Sequence, residues 1–221
     1  MAGNISTIEI DWSLYAILDK TTVGDRDIEH VAQEVLTGGA GVIQLRNKSS
    51  DIKAFYEDAR LVKRLTDHYG VPLIINDRAD VARAVEAAGV HLGQQDLPLP
   101  AARQLLGQNK IVGVSVHNDA EFEQAIAYGP TYFGVGTIYP SSTKEVKNIT
   151  GIEIIERLRA RTSSPLIAIG GITVENVRPV ILAGADGVAV VSALLNALDV
   201  QTQARTFVKA VHDSQHQTCK R

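Results

Sequence analysis

Short apolar runs rich in Val, Ile and Leu recur along the chain, and each is followed by a longer stretch whose apolar residues fall at helical spacing. The runs occupy residues 14–18, 42–45, 73–75, 90–92, 111–114, 132–135, 166–169 and 188–191. The helical stretches occupy 28–36, 52–68, 79–88, 101–106, 120–127, 152–159, 174–182 and 203–211. Runs this short and apolar fit strands covered on both faces, as in a parallel sheet, and do not fit an exposed antiparallel one. Eight strand–helix repeats predict an α/β fold, a (β/α)8 TIM barrel in a single domain over residues 13–212, with an N-terminal extension at 1–12 and a polar tail at 213–221. A six-stranded doubly wound sheet is the weaker alternative.

Three junctions between a helix and the next strand look alike: Thr37-Gly-Gly-Ala-Gly-Val42, Ala87-Ala-Gly-Val-His-Leu-Gly93 and Ala183-Gly-Ala-Asp-Gly-Val188. Glycine just past a helix adopts the left-handed conformation that ends it, so these glycines are expected to be structural.

Composition then narrows the function classes. The chain has 221 residues, 45% apolar and 21% charged, enough to bury the core of one large domain. Net charge is −3 with no long run of like charges, which gives no footprint for nucleic acid or an anionic membrane surface. Aromatic content of 5% is too low for a base-stacking platform. The single cysteine, Cys219, cannot form an internal disulfide, and no His/Cys cluster has zinc-ligand spacing. No leader or membrane-spanning stretch stands out, so a cytoplasmic location is the default expectation.

In a barrel, polar residues directly after each strand gather at one mouth. Gln44, Arg46 and Lys48 lie at alternate positions at the end of the second run and would share a face, a cationic fork suited to phosphate. The plain alternative is a solvated strand tip. Later runs are followed by Asn76 and Asp77, by Gly93-Gln-Gln-Asp96, by Ser115 and His117, by Gly136 and the loop Pro140-Ser-Ser-Thr-Lys144, by Gly170-Gly171, and by Ser192. Asp77 and Asp96 lie one repeat apart. Each alone could cap a helix or form a turn; as a pair beside the fork they suit a hard cation such as magnesium. Gly170-Gly171 and Val191-Ser192 follow the seventh and eighth runs, where barrels often hold a phosphate on backbone N–H groups. Gly134-Val-Gly136 and Ser142-Thr-Lys144 lack the glycine frames of nucleotide-binding motifs. His117 is expected to orient a ligand or fill the mouth, and His91, inside a strand, to be a satisfied core histidine.

The ordered set Gln44-Leu-Arg-Asn-Lys48, Ile75-Asn-Asp77, Gly93-Gln-Gln-Asp96, Ser115-Val-His117, Gly136-Thr-Ile-Tyr-Pro-Ser-Ser-Thr-Lys144 and Ile169-Gly-Gly-Ile172 with Gly184-Ala-Asp-Gly187 resembles the thiamine-phosphate synthase family over nearly the whole chain. The resemblance implies a transferase of thiamine biosynthesis that joins 4-amino-2-methyl-5-(diphosphomethyl)pyrimidine to a thiazole phosphate and releases pyrophosphate, by a magnesium-assisted dissociative substitution. It implies that Gln44, Arg46, Lys48, Asn76, Ser115 and Lys144 bind the pyrimidine diphosphate, with Arg46, Lys48, Lys144 and Ser115 catalytic, and that Leu45 and Asn47 between them also lie at the substrate. It further implies that Asp77 and Asp96 hold Mg2+, and that Ser141, Ser142, Thr143, Gly171, Val191 and Ser192 bind the thiazole phosphate. Asn47 and Ser141 depart from the acidic residue and threonine usual in the family. Ile74-Ile-Asn-Asp-Arg78 and Asp96-Leu-Pro-Leu-Pro100 look closest to the fungal form, commonly fused to a hydroxyethylthiazole kinase, and a homo-oligomer is expected. The rival readings are a metal-free thiazole tautomerase of the same fold, which typically lacks the acidic pair, and a non-catalytic protein that binds thiazole phosphate or thiamine phosphate.

Overall fold

The computed structural model describes residues 10–49, 51–140 and 149–218. Eight parallel strands close into a barrel in sequence order, β1 (Leu14–Asp19), β2 (Val42–Arg46), β3 (Leu73–Asn76), β4 (Gly89–Leu92), β5 (Ile111–Val116), β6 (Tyr132–Val135), β7 (Leu166–Ile169) and β8 (Gly187–Val190), with β8 paired back onto β1. The predicted (β/α)8 barrel is therefore the observed one, and the doubly wound sheet is excluded. Each predicted run is a strand, within two residues at its ends. The extension that matters is in β5, which continues through Ser115 and so puts that residue on the barrel wall rather than in a loop.

Ten helical segments surround the strands among the described residues: α1 (Lys20–Val23), α2 (Ile28–Thr37), α3 (Ile52–Tyr69), α4 (Ala79–Ala84), α5 (Leu99–Leu106), α6 (Asp119–Ile126), α7 (Glu153–Arg159), α8 (Val177–Leu182), α9 (Ser192–Leu195) and α10 (Val200–Thr218). In α3, Asp51 caps the start by accepting from Ala54 N–H at 2.9 Å, and Gly70 ends it in the left-handed conformation. Its buried face, Phe55, Ala59, Val62 and Thr66, follows the helical period, and each large apolar side chain buried there contributes roughly 1.5–3 kcal/mol. Helix α4 stops at Ala84, short of the predicted 88, because Glu86 turns left-handed and Ala87 leads into β4. The short helices α1 and α9 were not expected; each is a single turn with too few residues to show a period. Helix α10 runs on to Thr218, carrying residues 213–218 with it, and Gln215 Nε2 donates to Asp186 O at 3.0 Å. Cys219 and residues 1–9 lie outside the described residues.

Two apolar layers result from the strand alternation. The larger lies between strands and helices. The smaller fills the barrel with Tyr15, Ile17, Val42, Ile74, Tyr132, Ile167 and Ala189, and Ile10 and Trp12 pack against it. Trp12 lies 4.9 Å from Tyr132, centroid to centroid, so residues 10–12 are part of the packed barrel. This accounts for some of the junction glycines. Gly184 does take the left-handed conformation (φ 105°), but Gly187 does not; a Cβ there would overlap the Trp12 carbonyl. Gly89 likewise lies against the Ile111 carbonyl, so at these strand starts glycine serves close backbone approach instead of helix termination.

Candidate active site

At the C-terminal mouth the barrel opens into a cavity of about 490 Å3. The two-residue period of each strand selects which side chains face it: Asp19 from β1, Gln44 and Arg46 from β2, Asn76 from β3, His91 from β4, Ser115 from β5 and Ala189 from β8. His117, Gly136, Thr137, Pro140, Gly170, Gly171, Thr173, Val191 and Ser192 complete the upper wall.

The fork predicted from residues 44–48 is only partly a fork. Gln44 turns into the barrel, where its Nε2 donates to Tyr15 OH at 2.8 Å. Arg46 is held by Asp19, and Lys48 reaches to Asp77 at the end of β3. Each cation thus already faces a carboxylate. Leu45, expected at the substrate, is fully buried toward the helices because its position on the strand has the opposite parity, and it does not line the cavity. Asn47 is also off the cavity; its Oδ1 accepts from Ser49 N–H at 2.8 Å and shapes the turn into α3. Ser141, Ser142, Thr143 and Lys144 lie outside the described residues, directly after Pro140.

Asp77 and Asp96 meet. Burial, then a hydrogen bond and like charge from the Asp77 carboxyl, hold the Asp96 carboxyl above the usual carboxylate range, while Gly93 N–H and Lys48 act the other way. Asp77 is one of only two non-glycine residues with positive φ among those described (62°), and its N–H donates to His91 O at 2.8 Å, an arrangement that turns its side chain across the strand ends. It does not cap α4, whose N-cap is Arg78, so the capping alternative fails for Asp77. Asp96 does form a turn, accepting from Gly93 N–H at 2.7 Å through one oxygen. Among the described residues no group of three or more His, Cys, Asp and Glu converges, which gives zinc no cage. Two adjacent carboxylates suit magnesium, whose shell is normally completed by water and substrate phosphate. Asp19 faces Arg46, and the Asp77–Asp96 pair faces Lys48, so the two carboxylates at this rim share one cation.

Across the mouth, Gly170 (φ 101°) and Gly171 (φ 64°) make a turn that a side chain would block, since a Cβ at Gly171 would overlap the Pro140 carbonyl. Asn176 fixes the turn by donating from Nδ2 to Gly171 O (2.9 Å) and accepting from Thr173 N–H (2.8 Å). Val191 and Ser192 open α9 on the neighbouring strand. His117 is paired with Glu121 at 2.8 Å through Nδ1 and lines the cavity with its ring.

Asp19 was not among the expected site residues, although it directly follows the first apolar run and obeys the rule that picked out the others. It is 3% exposed and accepts from Thr22 N–H and Thr22 Oγ1 as well as from Arg46. His91 is satisfied, as expected, with Nδ1 2.8 Å from Tyr132 OH and Nε2 2.8 Å from Ser115 Oγ, yet it also faces the cavity. Burial pushes its pKa down to about 4, against a smaller opposing effect of Asp96. An unfolded chain binds this proton at pH 6.5 and the folded protein does not, so stability present above pH 6.5 is lost as pH falls toward 4, by roughly 3 kcal/mol in all. Urea midpoints at pH 7 and pH 4.5 are expected to fall further for the native chain than for His91→Gln; equal slopes would show that His91 is not held neutral.

A parallel barrel with charged residues and a glycine turn gathered at its C-terminal mouth is the architecture of enzymes that handle phosphorylated small molecules. Residues 14–194 match the family described as thiamine monophosphate synthase, and the chain belongs to that family. It is 41% identical over 202 residues to the thiamine-phosphate synthases of Clostridium acetobutylicum and Clostridium botulinum, covering 91% of this chain and 96% and 98% of theirs. Among solved structures it is similar to thiamine phosphate pyrophosphorylase from Pyrococcus furiosus, with a TM-score of 0.84, 33% identity and coverage of 93% of this chain and 98% of that one. The chain is an enzyme, a transferase of thiamine biosynthesis acting on small molecules. Among the described residues no helix is long and apolar enough to cross a membrane.

Proposed function

We propose that the cavity joins the pyrimidine diphosphate to the thiazole phosphate by charge-assisted departure of pyrophosphate. The observation that carries this reading is the contact between the Asp77 and Asp96 carboxyls beside Lys48, on the same cavity rim as the Arg46–Asp19 pair. Mg2+ held by Asp77 and Asp96 would supply the positive charge that the leaving diphosphate needs. Arg46 and Lys48 donate to phosphate oxygens, and Asp19 keeps the guanidinium of Arg46 aimed across the mouth. Gln44, Asn76 and Ser115 hold the pyrimidine ring over the barrel interior. Lys144 adds a further cation on the resemblance alone. As the carbon–oxygen bond breaks, the negative charge grows on the leaving group, and each of these contacts strengthens. The amino-pyrimidine delocalises the positive charge left behind, and the thiazole nitrogen attacks it. Gly171 with Val191 and Ser192 presents backbone N–H groups to the thiazole phosphate, and Ser141, Ser142 and Thr143 extend that site on the resemblance.

By the resemblance, the metal-free tautomerase of this fold typically lacks the acidic pair, so the presence of Asp77 and Asp96 together favours the synthase reading. A homo-oligomer, and in a longer natural chain a fused hydroxyethylthiazole kinase, belong to the same proposal. Two phosphorylated, membrane-impermeant substrates suit a cytoplasmic location. With both substrates present, product and pyrophosphate are expected to form with magnesium and to fall to background on chelation, restored by adding magnesium back. Turnover indifferent to the chelator would overturn the metal assignment.

A further inference from the structure

A continuous hydrogen-bond chain crosses the barrel interior beneath the cavity. Gln44 Nε2 donates to Tyr15 OH at 2.8 Å, Tyr15 OH lies 2.6 Å from Tyr132 OH, Tyr132 OH lies 2.8 Å from His91 Nδ1, and His91 Nε2 lies 2.8 Å from Ser115 Oγ. Gln44 and Ser115, at its two ends, line the cavity, whereas Tyr132, at its middle, is fully buried. The barrel makes room for this chain. A Cβ at Gly113 would overlap the Tyr132 ring, and one at Gly134 would crowd the His91 ring, so two strand glycines, otherwise unfavourable in a sheet, stand where the two rings lie.

Counting protons restricts what the chain can do. A phenol, a serine hydroxyl and a neutral imidazole each have one proton to donate. Burial raises the pKa of both phenols, so both keep theirs. With four links to fill, two arrangements satisfy them all without stranding a buried proton, and they run in opposite directions. In one, Gln44 donates to Tyr15, Tyr15 to Tyr132, Tyr132 to His91 Nδ1, and His91 Nε2–H to Ser115; the cavity then sees an acceptor, Gln44 Oε1, and a donor, the Ser115 hydroxyl. In the other, every link reverses, and the cavity sees the Gln44 amide N–H and a serine lone pair. The amide has Nε2 toward Tyr15, which is the first arrangement.

We propose that Tyr132 is a positioning residue that couples the Gln44 amide to the Ser115 hydroxyl, so that the cavity floor selects an amino-substituted nitrogen heterocycle over its oxo counterpart. The proposal rests on the pyrimidine reading of the site above. An exocyclic amine beside a ring nitrogen offers a donor and an acceptor, which match Gln44 Oε1 and Ser115 O–H. The oxo ring offers an acceptor and an N–H, the reverse pattern; Ser115 has a second lone pair for the N–H, but Gln44 can turn its amide N–H to the oxo group only by inverting all four links together. Without the Tyr132 hydroxyl the two ends turn independently, and the discrimination weakens.

The test has two arms on the intact protein. Long-range proton–nitrogen correlation in the ligand-free protein is expected to show His91 as the Nε2–H tautomer, and Tyr132→Phe to mix the two tautomers. In parallel, kcat/KM is measured for the amino-pyrimidine diphosphate and for its 4-oxo analogue. The native ratio is expected at roughly 10²-fold or more in favour of the amine, and Tyr132→Phe to lower that ratio by about tenfold while the KM for thiazole phosphate stays unchanged. Tyr15→Phe cuts the chain at another link, is expected to lower the ratio likewise, and serves should Tyr132→Phe not fold. An Nδ1–H tautomer in the native protein, or an unchanged ratio in the folded variants, overturns the proposal. Native protein that turns over neither pyrimidine would instead sink the pyrimidine reading, while the tautomer measurement still judges the coupling.

Discussion

Asp77→Asn and Asp96→Asn are each expected to lower kcat/KM by roughly 10² to 10³ fold, the loss that goes with removing about 3–4 kcal/mol of transition-state stabilisation. Asparagine is a cleaner test than alanine at both positions. Residue 77 sits at φ 62°, which asparagine tolerates and alanine does not without strain of about 1–2 kcal/mol, and at residue 96 an amide oxygen can still accept from Gly93 N–H. The fold should therefore survive. In the metal-free protein Asp77→Asn is further expected to leave stability equal or higher, because it removes the like charge beside Asp96 and costs only an ion pair to Lys48, whose side chain is 54% exposed. Initial rates of pyrophosphate release across a magnesium titration, with thermal melts alongside, check both halves. Loss of rate with half-saturation moved to higher magnesium is the expected result. Unchanged rate and half-saturation in both variants would refute the metal assignment. A loss of activity that tracks a loss of fold would not bear on it, which is why the melt is part of the test.

Sequence pattern captured the barrel because each strand is a short apolar run buried on two faces, and the period of two fixes inward and outward sides once the strand ends are known. The acidic pair was legible for the same reason: Asp77 and Asp96 follow consecutive strands, and parallel neighbours must deliver them to one rim. What the pattern could not supply was pairing. Gln44, Arg46 and Lys48 at alternate positions look like a free cationic face, but Asp19 and Asp77 come from the strands on either side and take Arg46 and Lys48. Nor could it supply the interior chain from Gln44 to Ser115, since Tyr15, His91 and Tyr132 lie on three strands far apart in sequence, and their hydroxyl and ring nitrogens meet only when the barrel closes. Strand glycines such as Gly113 carried a signal, an unfavourable residue inside an apolar run, but its cause is the Tyr132 ring on the next strand. The single-turn helices α1 and α9 had no period to read.

Arg46→Ala is expected to damage the protein in two separable ways. Its guanidinium pairs with Asp19, a carboxylate 3% exposed at the end of β1 that also accepts from Thr22 N–H and Thr22 Oγ1, and no other ion pair to Asp19 forms among the described residues. Truncating Arg46 leaves that buried charge without its counter-ion, at a cost of about 2–3 kcal/mol in stability, and removes a cation from the leaving group, lowering kcat/KM by roughly 10² to 10³ fold. The double variant Asp19→Asn with Arg46→Ala separates the two effects. Removing the orphaned charge should return most of the lost stability, measured by urea unfolding, because the remaining amide still accepts from Thr22 and no ion is left buried. Activity should not return, because no cation has been restored. Asp19→Asn alone should fall between: a stable protein, with Arg46 present but no longer aimed, losing about tenfold in kcat/KM. Should the double variant regain turnover along with stability, Arg46 would be a strut for β1 and β2, and the charge carrying the departing diphosphate would have to come from elsewhere on the rim.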